Sequence, residues 1–213
     1  MKLWSGTLSP FSAKVRIALA EKGLQAEIAE IPWSRDKLWG PKPPEFLAAN
    51  FKGEVPALED QGMAIIDSTV INEYLEDAYP DVPLMPTSAT ERAACRMWEN
   101  MADEFMADHL TTLISEVFMK PDGEGRDTEA VAATEAAYAG YLAAMDRRLT
   151  ADGYHCAAYG LADIASWVGL AFAQTLGVGV ADYPGVSAWY ERVAQRPVVA
   201  AEMEQILAAA AVS

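Results

Sequence analysis

Three prolines, Pro80, Pro83 and Pro86, fall within seven residues and separate two stretches of chain with different hydrophobic periods. Proline lacks the backbone N–H and fixes φ, so neither a helix nor a central strand continues through such a cluster. Before it, short β-type runs alternate with helical ones: strands at Lys2–Ser5, 26–31, 57–59 and Met63–Ile66, helices at 12–21 and 44–50. The order is β-α-β-α-β-β. Gly23 stands where a helix C-terminal cap is expected, and Ser68 is the natural N-cap of a further helix with Val70, Ile71, Tyr74 and Leu75 at helical spacing. After the prolines every segment is helical in pattern and rich in alanine, at 90–117, 128–150, 161–176, 186–195 and 199–210, with a polar loop at 120–126. The expected architecture is an α/β domain over 1–80, a linker over 81–87 and an all-α domain over 88–213.

Composition narrows the function classes. The 213 residues are 52% apolar and carry a formal charge of −15, which fits a compact soluble protein and excludes collagen-like, coiled-coil and disordered chains. No Lys/Arg run supplies a stripe for a phosphate backbone, so neither nucleic acid nor an anionic membrane is an expected partner. Residues 164–181 lack charge but are bounded by Asp163 and Asp182, which suits a helix buried in protein better than a membrane span. Two cysteines, Cys95 and Cys156, form neither a disulfide framework nor a Cys-x-x-Cys pair, and no metal set is evident. Cys95, within the first long helix, reads as a small buried hydrophobe; Cys156 falls in a loop. With no signal-peptide pattern at the start, a reducing cytoplasm is the expected location.

Ser9-Pro10-Phe11-Ser12 lies between the first strand and the first helix. Free N–H groups and the helix dipole make that position a site for an anion, although Ser-Pro also starts turns and caps helices without further role. Two more segments extend the pattern: Gly53-Glu54-Val55-Pro56-Ala57-Leu58 and Ile66-Asp67-Ser68-Thr69-Val70-Ile71. With Ala162-Asp163-Ile164-Ala165, Trp189-Tyr190-Glu191-Arg192 and Arg196-Pro197, they resemble the glutathione transferase family over nearly the whole chain.

The resemblance implies a thioredoxin-like glutathione-binding domain followed by an all-helical one, in a two-fold homodimer acting in detoxification. It implies that Ser9 holds the glutathione sulfur, as in the serine-type theta, zeta and tau classes, with glutathione a co-substrate and no metal. Val55-Pro56 matches the family's cis-proline step, whose backbone pairs with the cysteinyl part of glutathione. Asp67-Ser68 matches its acidic-Ser pair, which meets the γ-glutamyl group. Phe11 and Glu54 border this site; Glu54 stands where many relatives have Lys or Gln, leaving Lys42 or Lys52 for the glycyl carboxylate. Tyr159-Gly160-Leu161-Ala162-Asp163-Ile164 resembles the family's capping box, a folding element in which Gly160 replaces the usual Ser or Thr.

The second substrate, a small hydrophobic electrophile, is expected among Leu8, Phe11, Trp33, Trp39, Met101, Phe105, His109 and Trp167. Met97, Met101 and Phe105 recur at helical spacing, however, and such a stripe ordinarily marks core. A serine at position 9 disfavours glutaredoxin-like chemistry. The implied reaction is attack of a glutathione thiolate on the electrophile, in a general transferase or a dedicated lyase, dehalogenase or isomerase. The alternative is a non-catalytic ligand-binding or protein-interaction module on the same fold.

Overall fold

The computed structural model describes residues 1–149 and 153–211. The chain divides into two compact units, Met1–Leu84 together with the chain from Arg196 onward, and Met85–Gln195.

In the first unit, β1 (Lys2–Ser5) pairs in parallel with β2 (Glu27–Glu30) and antiparallel with β5 (Ala57–Asp60), which pairs with β6 (Met63–Ile66). The sheet order is β2-β1-β5-β6. Strand side chains alternate between faces, and the register makes this consistent across the sheet. Leu3 faces Leu58 on one side, joining Val15 and Leu19 of α1 (Pro10–Glu21) and Ile71 and Leu75 of α3 (Ser68–Ala78). Trp4 and Ala57 point to the other side, against Ile31 and Phe46 of α2 (Pro44–Ala49). A two-stranded hairpin, β3 (Trp33–Ser34) and β4 (Leu38–Trp39), pairs Trp33 with Trp39; no sequence pattern announced these two-residue strands. Gly23 adopts φ +67°, letting Leu24 N–H reach Leu19 C=O and Gly23 N–H reach Ala20 C=O at the end of α1. The cap of α3 is Asp67 rather than Ser68, because the Asp67 carboxylate accepts the free N–H groups of Thr69 and Val70.

The second unit holds α4 (Ala89–Phe105), α5 (Thr111–Leu113), α6 (Thr128–Arg148), α7 (Leu161–Thr175) and α8 (Pro184–Ala194). Helical chain continues from α4 to Phe118, but Met106–Leu110 and Ile114–Phe118 are π-helical. Thr111 and Thr112 hydroxyls donate to the carbonyls of Ala107 and Asp108 in this stretch, competing with the α-helical ladder. Thr150, the expected last residue of the α6 segment, lies outside the described residues, as do residues 212 and 213 of the expected second domain. No helix among the described residues is long and apolar enough to cross a membrane.

Helix α9 (Pro197–Ala210) overturns the expected assignment of the whole C-terminal stretch to the second domain, since it packs on α1 in the first unit. Charge explains the docking. Arg16 makes a bidentate pair with Glu202, 2.5 and 3.0 Å from Oε1, and Arg196 at the start of α9 grips Glu21 at 2.7 and 2.8 Å. Alanine-rich periodicity marks α9 as a helix and says nothing about its partner.

Candidate functional site

The β1–α1 turn carries Ser9, which is the N-cap of α1 and only 4% exposed. Its Oγ accepts the Ser12 N–H at 3.2 Å, while the Ser12 hydroxyl accepts the Gly6 N–H at 3.2 Å. The Ser9 hydroxyl proton is donated to no acceptor among the described residues. A donor with spare capacity, at the positive end of a twelve-residue helix, is suited to a small anion. Arg16, one face of α1 further on, holds the turn in shape: Nη1 donates to Ser5 Oγ (2.6 Å) and Gly6 C=O (3.0 Å), and Nη2 to Thr7 C=O (3.1 Å).

The register Trp4–Ala57–Ile66 brings two other segments to the same end of the sheet as this turn. Val55-Pro56 is a cis peptide just before the β5 ladder begins. Asp67 caps α3 with φ +78°, a conformation that L residues adopt only when their surroundings impose it, and such positions concentrate at binding sites. Its Oδ1 accepts from Thr69 N–H at 3.0 Å and Val70 N–H at 3.2 Å, and the side chain is exposed; Ser68 is buried beside it. Fully buried Lys14 ties the two helix starts together, its Nζ donating to Thr69 Oγ1 at 3.1 Å. Nothing in the sequence singled out Lys14, Arg16 or Glu202; the signal available at α1 was a pair of cations in the second turn of a helix otherwise apolar through its middle.

The remaining expected residues separate into those near this turn and those elsewhere. Lys42 Nζ lies 3.3 Å from where a Cβ on Gly53 would stand, beside the Glu54-Val55-Pro56 segment. Glu54 turns outward, 70% exposed and paired with Lys52 at 3.5 Å, so its carboxylate leans toward a cation rather than into the turn. Trp39 packs against the turn itself: a Cβ on Gly6 would fall 2.1 Å from Trp39 Cζ3, so glycine is required there. Trp33 faces Trp39 across the hairpin, and Leu8 and Phe11 are half-buried.

In the second unit, Phe105 stacks on Tyr141 with centroids 4.3 Å apart and meets His109 in a tilted contact at 4.8 Å. Met101 is half-buried, but Met97 is 67% exposed, which corrects the reading of Met97, Met101 and Phe105 as one core stripe. Trp167 is also corrected as a pocket candidate. It is 1% exposed, stacked on Tyr190 with Nε1 donating to the Tyr190 carbonyl, and therefore offers no surface to a ligand. A cavity of about 10 Å³ lined by Phe105, Tyr138, Tyr141, Ser166 and Gly169 has room for about one water. Burial raises both tyrosine hydroxyls there, Tyr141 to about 12, and the Tyr138 hydroxyl has no partner among the described residues. Among those residues, no three His, Cys, Asp or Glu side chains converge as metal ligands.

Comparison with known proteins agrees with this geometry. Residues 8–78 match the glutathione S-transferase N-terminal domain, and residues 106–197 the glutathione S-transferase C-terminal domain. The chain is 30% identical to glutathione S-transferase 2 of Saccharomyces cerevisiae, over 93% of this chain and 88% of that one. It is likewise 30% identical to glutathione S-transferase 3 of Zea mays, over 92% and 90%. The crystal structure of a glutathione S-transferase from Rhodospirillum rubrum F11 superposes with a TM-score of 0.78 at 29% identity, covering 93% of this chain and 89% of that one. A mixed-sheet unit whose first helix starts at a serine with a spare proton, an all-helical second unit, and matches that span both have one common origin: this chain belongs to the glutathione S-transferase family.

Proposed function

We propose that this protein is a serine-type glutathione transferase in which Ser9 stabilises the glutathione thiolate for attack on a small, hydrophobic electrophile. The observation that carries the reading is the Ser9 hydroxyl, which accepts from Ser12 N–H and keeps its own proton for a ligand at the N-terminus of α1. A free thiol has a pKa of about 8.5 and is mostly protonated at pH 7. A hydrogen bond to the charged sulfur is worth roughly 1.5–3 kcal/mol and the helix terminus roughly 0.3–1, enough together to lower that pKa by about 1–3 units.

Ser9 donates to sulfur and makes no covalent bond, so no histidine or carboxylate base is required of it. The Asp67 carboxylate keeps Oδ2 for the γ-glutamyl ammonium, and Ser68 with the α3 N-terminus suits the neighbouring carboxylate. Val55 offers backbone groups before β5, and the Lys42 ammonium suits the glycyl carboxylate. Glu54, turned to solvent beside Lys52, presents less repulsion than its sequence position implies. Leu8, Phe11, Trp33 and Trp39 supply an apolar wall on the first unit, suited to a hydrophobic electrophile. A cytoplasmic location and a two-fold homodimer belong to the same reading. Exposed Phe51, Leu47 and Val70 on the first unit favour the dimer, which light scattering of the purified protein reads directly.

The test is a pH titration of thiolate absorbance for glutathione mixed with the protein, beside Ser9→Ala. The expected result is a bound thiol titrating well below its free value, with the shift lost in the variant. Binding without a shift overturns the role of Ser9, and absence of binding moves a non-catalytic interaction module ahead.

A further inference from the structure

Cys95 and Cys156 are the only cysteines of the chain. The His155 ring lies against Trp98 of α4 at a centroid distance of 4.6 Å and its backbone N–H donates to Asp163 in the first turn of α7, so Cys156, the next residue, and Cys95, one turn before Trp98, stand at the same corner of the second unit. Cys95 projects from α4 and is 1% exposed, with its sulfur against the Ala162 backbone N–H in the first turn of α7. Cys156 lies in the segment that leads into α7 and is half-buried, open to small reagents. The two thiols interact with one another in the reduced protein, Cys95 on the donor side and Cys156 on the acceptor side. That interaction, with help from Arg148 and against burial and the Asp163 and Glu91 charges, favours thiolate on Cys156; the same interaction and burial push the Cys95 thiol up. One thiol is thus reachable and more easily ionised, and the other is protected directly behind it.

We propose that Cys95 and Cys156 are a thiol–disulfide exchange site through which a low-molecular-weight disulfide oxidises the second unit to an intramolecular disulfide. The Cys156 thiolate attacks one sulfur of the small disulfide, whose S–S bond breaks; the departing thiolate takes the proton that Cys156 gave up. Cys95 then attacks the Cys156 sulfur of the mixed disulfide, releases its proton and expels the second small thiolate, which takes up that proton. Two protein thiols are oxidised and one small disulfide is reduced to two thiols, with no other reactant. The second step is intramolecular between neighbouring groups, so the mixed disulfide does not accumulate. None of this involves Ser9, and it stands whether or not the protein activates glutathione.

The experiment uses the reduced, full-length native protein with excess bis(2-hydroxyethyl) disulfide, quenched with iodoacetamide and read by intact mass and peptide mapping. The wild type is expected to lose two hydrogens and both alkylatable thiols, giving a Cys95–Cys156 linked peptide pair. Cys95→Ser is expected to stop at a hydroxyethylthio adduct on Cys156, and Cys156→Ser to keep Cys95 as a free thiol over the same period. Circular dichroism of each variant before oxidation verifies the fold. A wild type that stops at the Cys156 adduct, links only between molecules, or cross-links only in denaturant overturns the proposal.

Discussion

The N-termini of α7 and α1 both carry polar side chains, and they are finished differently. At α7 in the second unit, Asp163 is fully buried and its two oxygens accept Gly160 N–H at 3.1 Å, His155 N–H at 3.0 Å and Trp189 Nε1–H at 2.7 Å. At α1 in the first unit, Ser9 accepts one N–H and retains a proton, and no acidic residue occupies the first turn. One terminus is saturated by its own chain, whereas the other is left incomplete. A saturated cap holds a fold together; an incomplete one, under the same helix dipole, is a place for something that is not protein.

Asp163→Ala should produce the largest effect. It leaves three donors of the second unit without their acceptor, each a group that costs free energy when buried unpaired. The expected loss is about 3–5 kcal/mol, comparable to breaking a buried charged network. Urea unfolding followed by tryptophan fluorescence reads it, since Trp189 is itself one of the donors. A loss below about 1 kcal/mol would break the comparison, because the α7 cap would then be as dispensable as an exposed one.

A smaller effect comes from His155, whose ring lies between Trp98 and Trp189 at centroid distances of 4.6 and 5.1 Å. Burial first, and Arg148 second, push its pKa down from 6.5 to about 3, so the folded protein keeps the ring neutral. Between those values the unfolded chain binds the extra proton, and the stability present above about pH 6.5 falls as pH drops toward 3. Asp163 opposes this, because burial raises its pKa from 3.8 to about 6 against the pull of its hydrogen bonds. Its contribution is fully present below pH 3.8 and is lost as pH rises through 6. His155→Phe keeps a ring in the slot and removes only the first effect. Relative to wild type, the variant should therefore gain about 1–3 kcal/mol on moving from pH 7 to pH 4.5, read as the change in urea midpoints. Parallel pH profiles for the two proteins would mean that His155 is protonated in the fold.

Much of this was legible in the sequence, and what was not has physical reasons. Alternating and helical periods located the four main strands, α1 and the helices of the second unit to within a few residues. The turn into α1 at Ser9 and the start of α3 at Asp67-Ser68 were legible because turn and cap residues act locally, although the cap of α3 is Asp67 and not Ser68. Long-range pairings were invisible. Arg16 and Glu202 are 186 residues apart, so the docking of α9 on the first unit left no local trace. The hairpin pairing Trp33 with Trp39 was missed because two-residue strands have no period to detect. Trp167 was misread because helical spacing tells which residues share a face and not which face is covered. Met97 erred in the opposite sense, counted with a covered stripe while it stands in solvent.

Ser9→Ala tests the other side of the comparison, and its effect on stability should be the smallest. The variant removes one acceptor from Ser12 N–H at a cap whose other first-turn groups are unchanged, so the expected loss is about 1 kcal/mol. Its effect on turnover should be far larger. Losing a hydrogen bond to a charged sulfur corresponds to roughly 10- to 150-fold in rate. A general electrophilic aryl halide and glutathione provide the assay, with urea unfolding on the same preparation. If Ser9→Ala costs as much stability as Asp163→Ala and leaves turnover intact, α1 is capped for folding as α7 is, and the two termini differ only in the number of donors they satisfy. If turnover collapses while the unfolding midpoint hardly moves, the spare proton on Ser9 has no structural duty, and its energy is available only to the ligand.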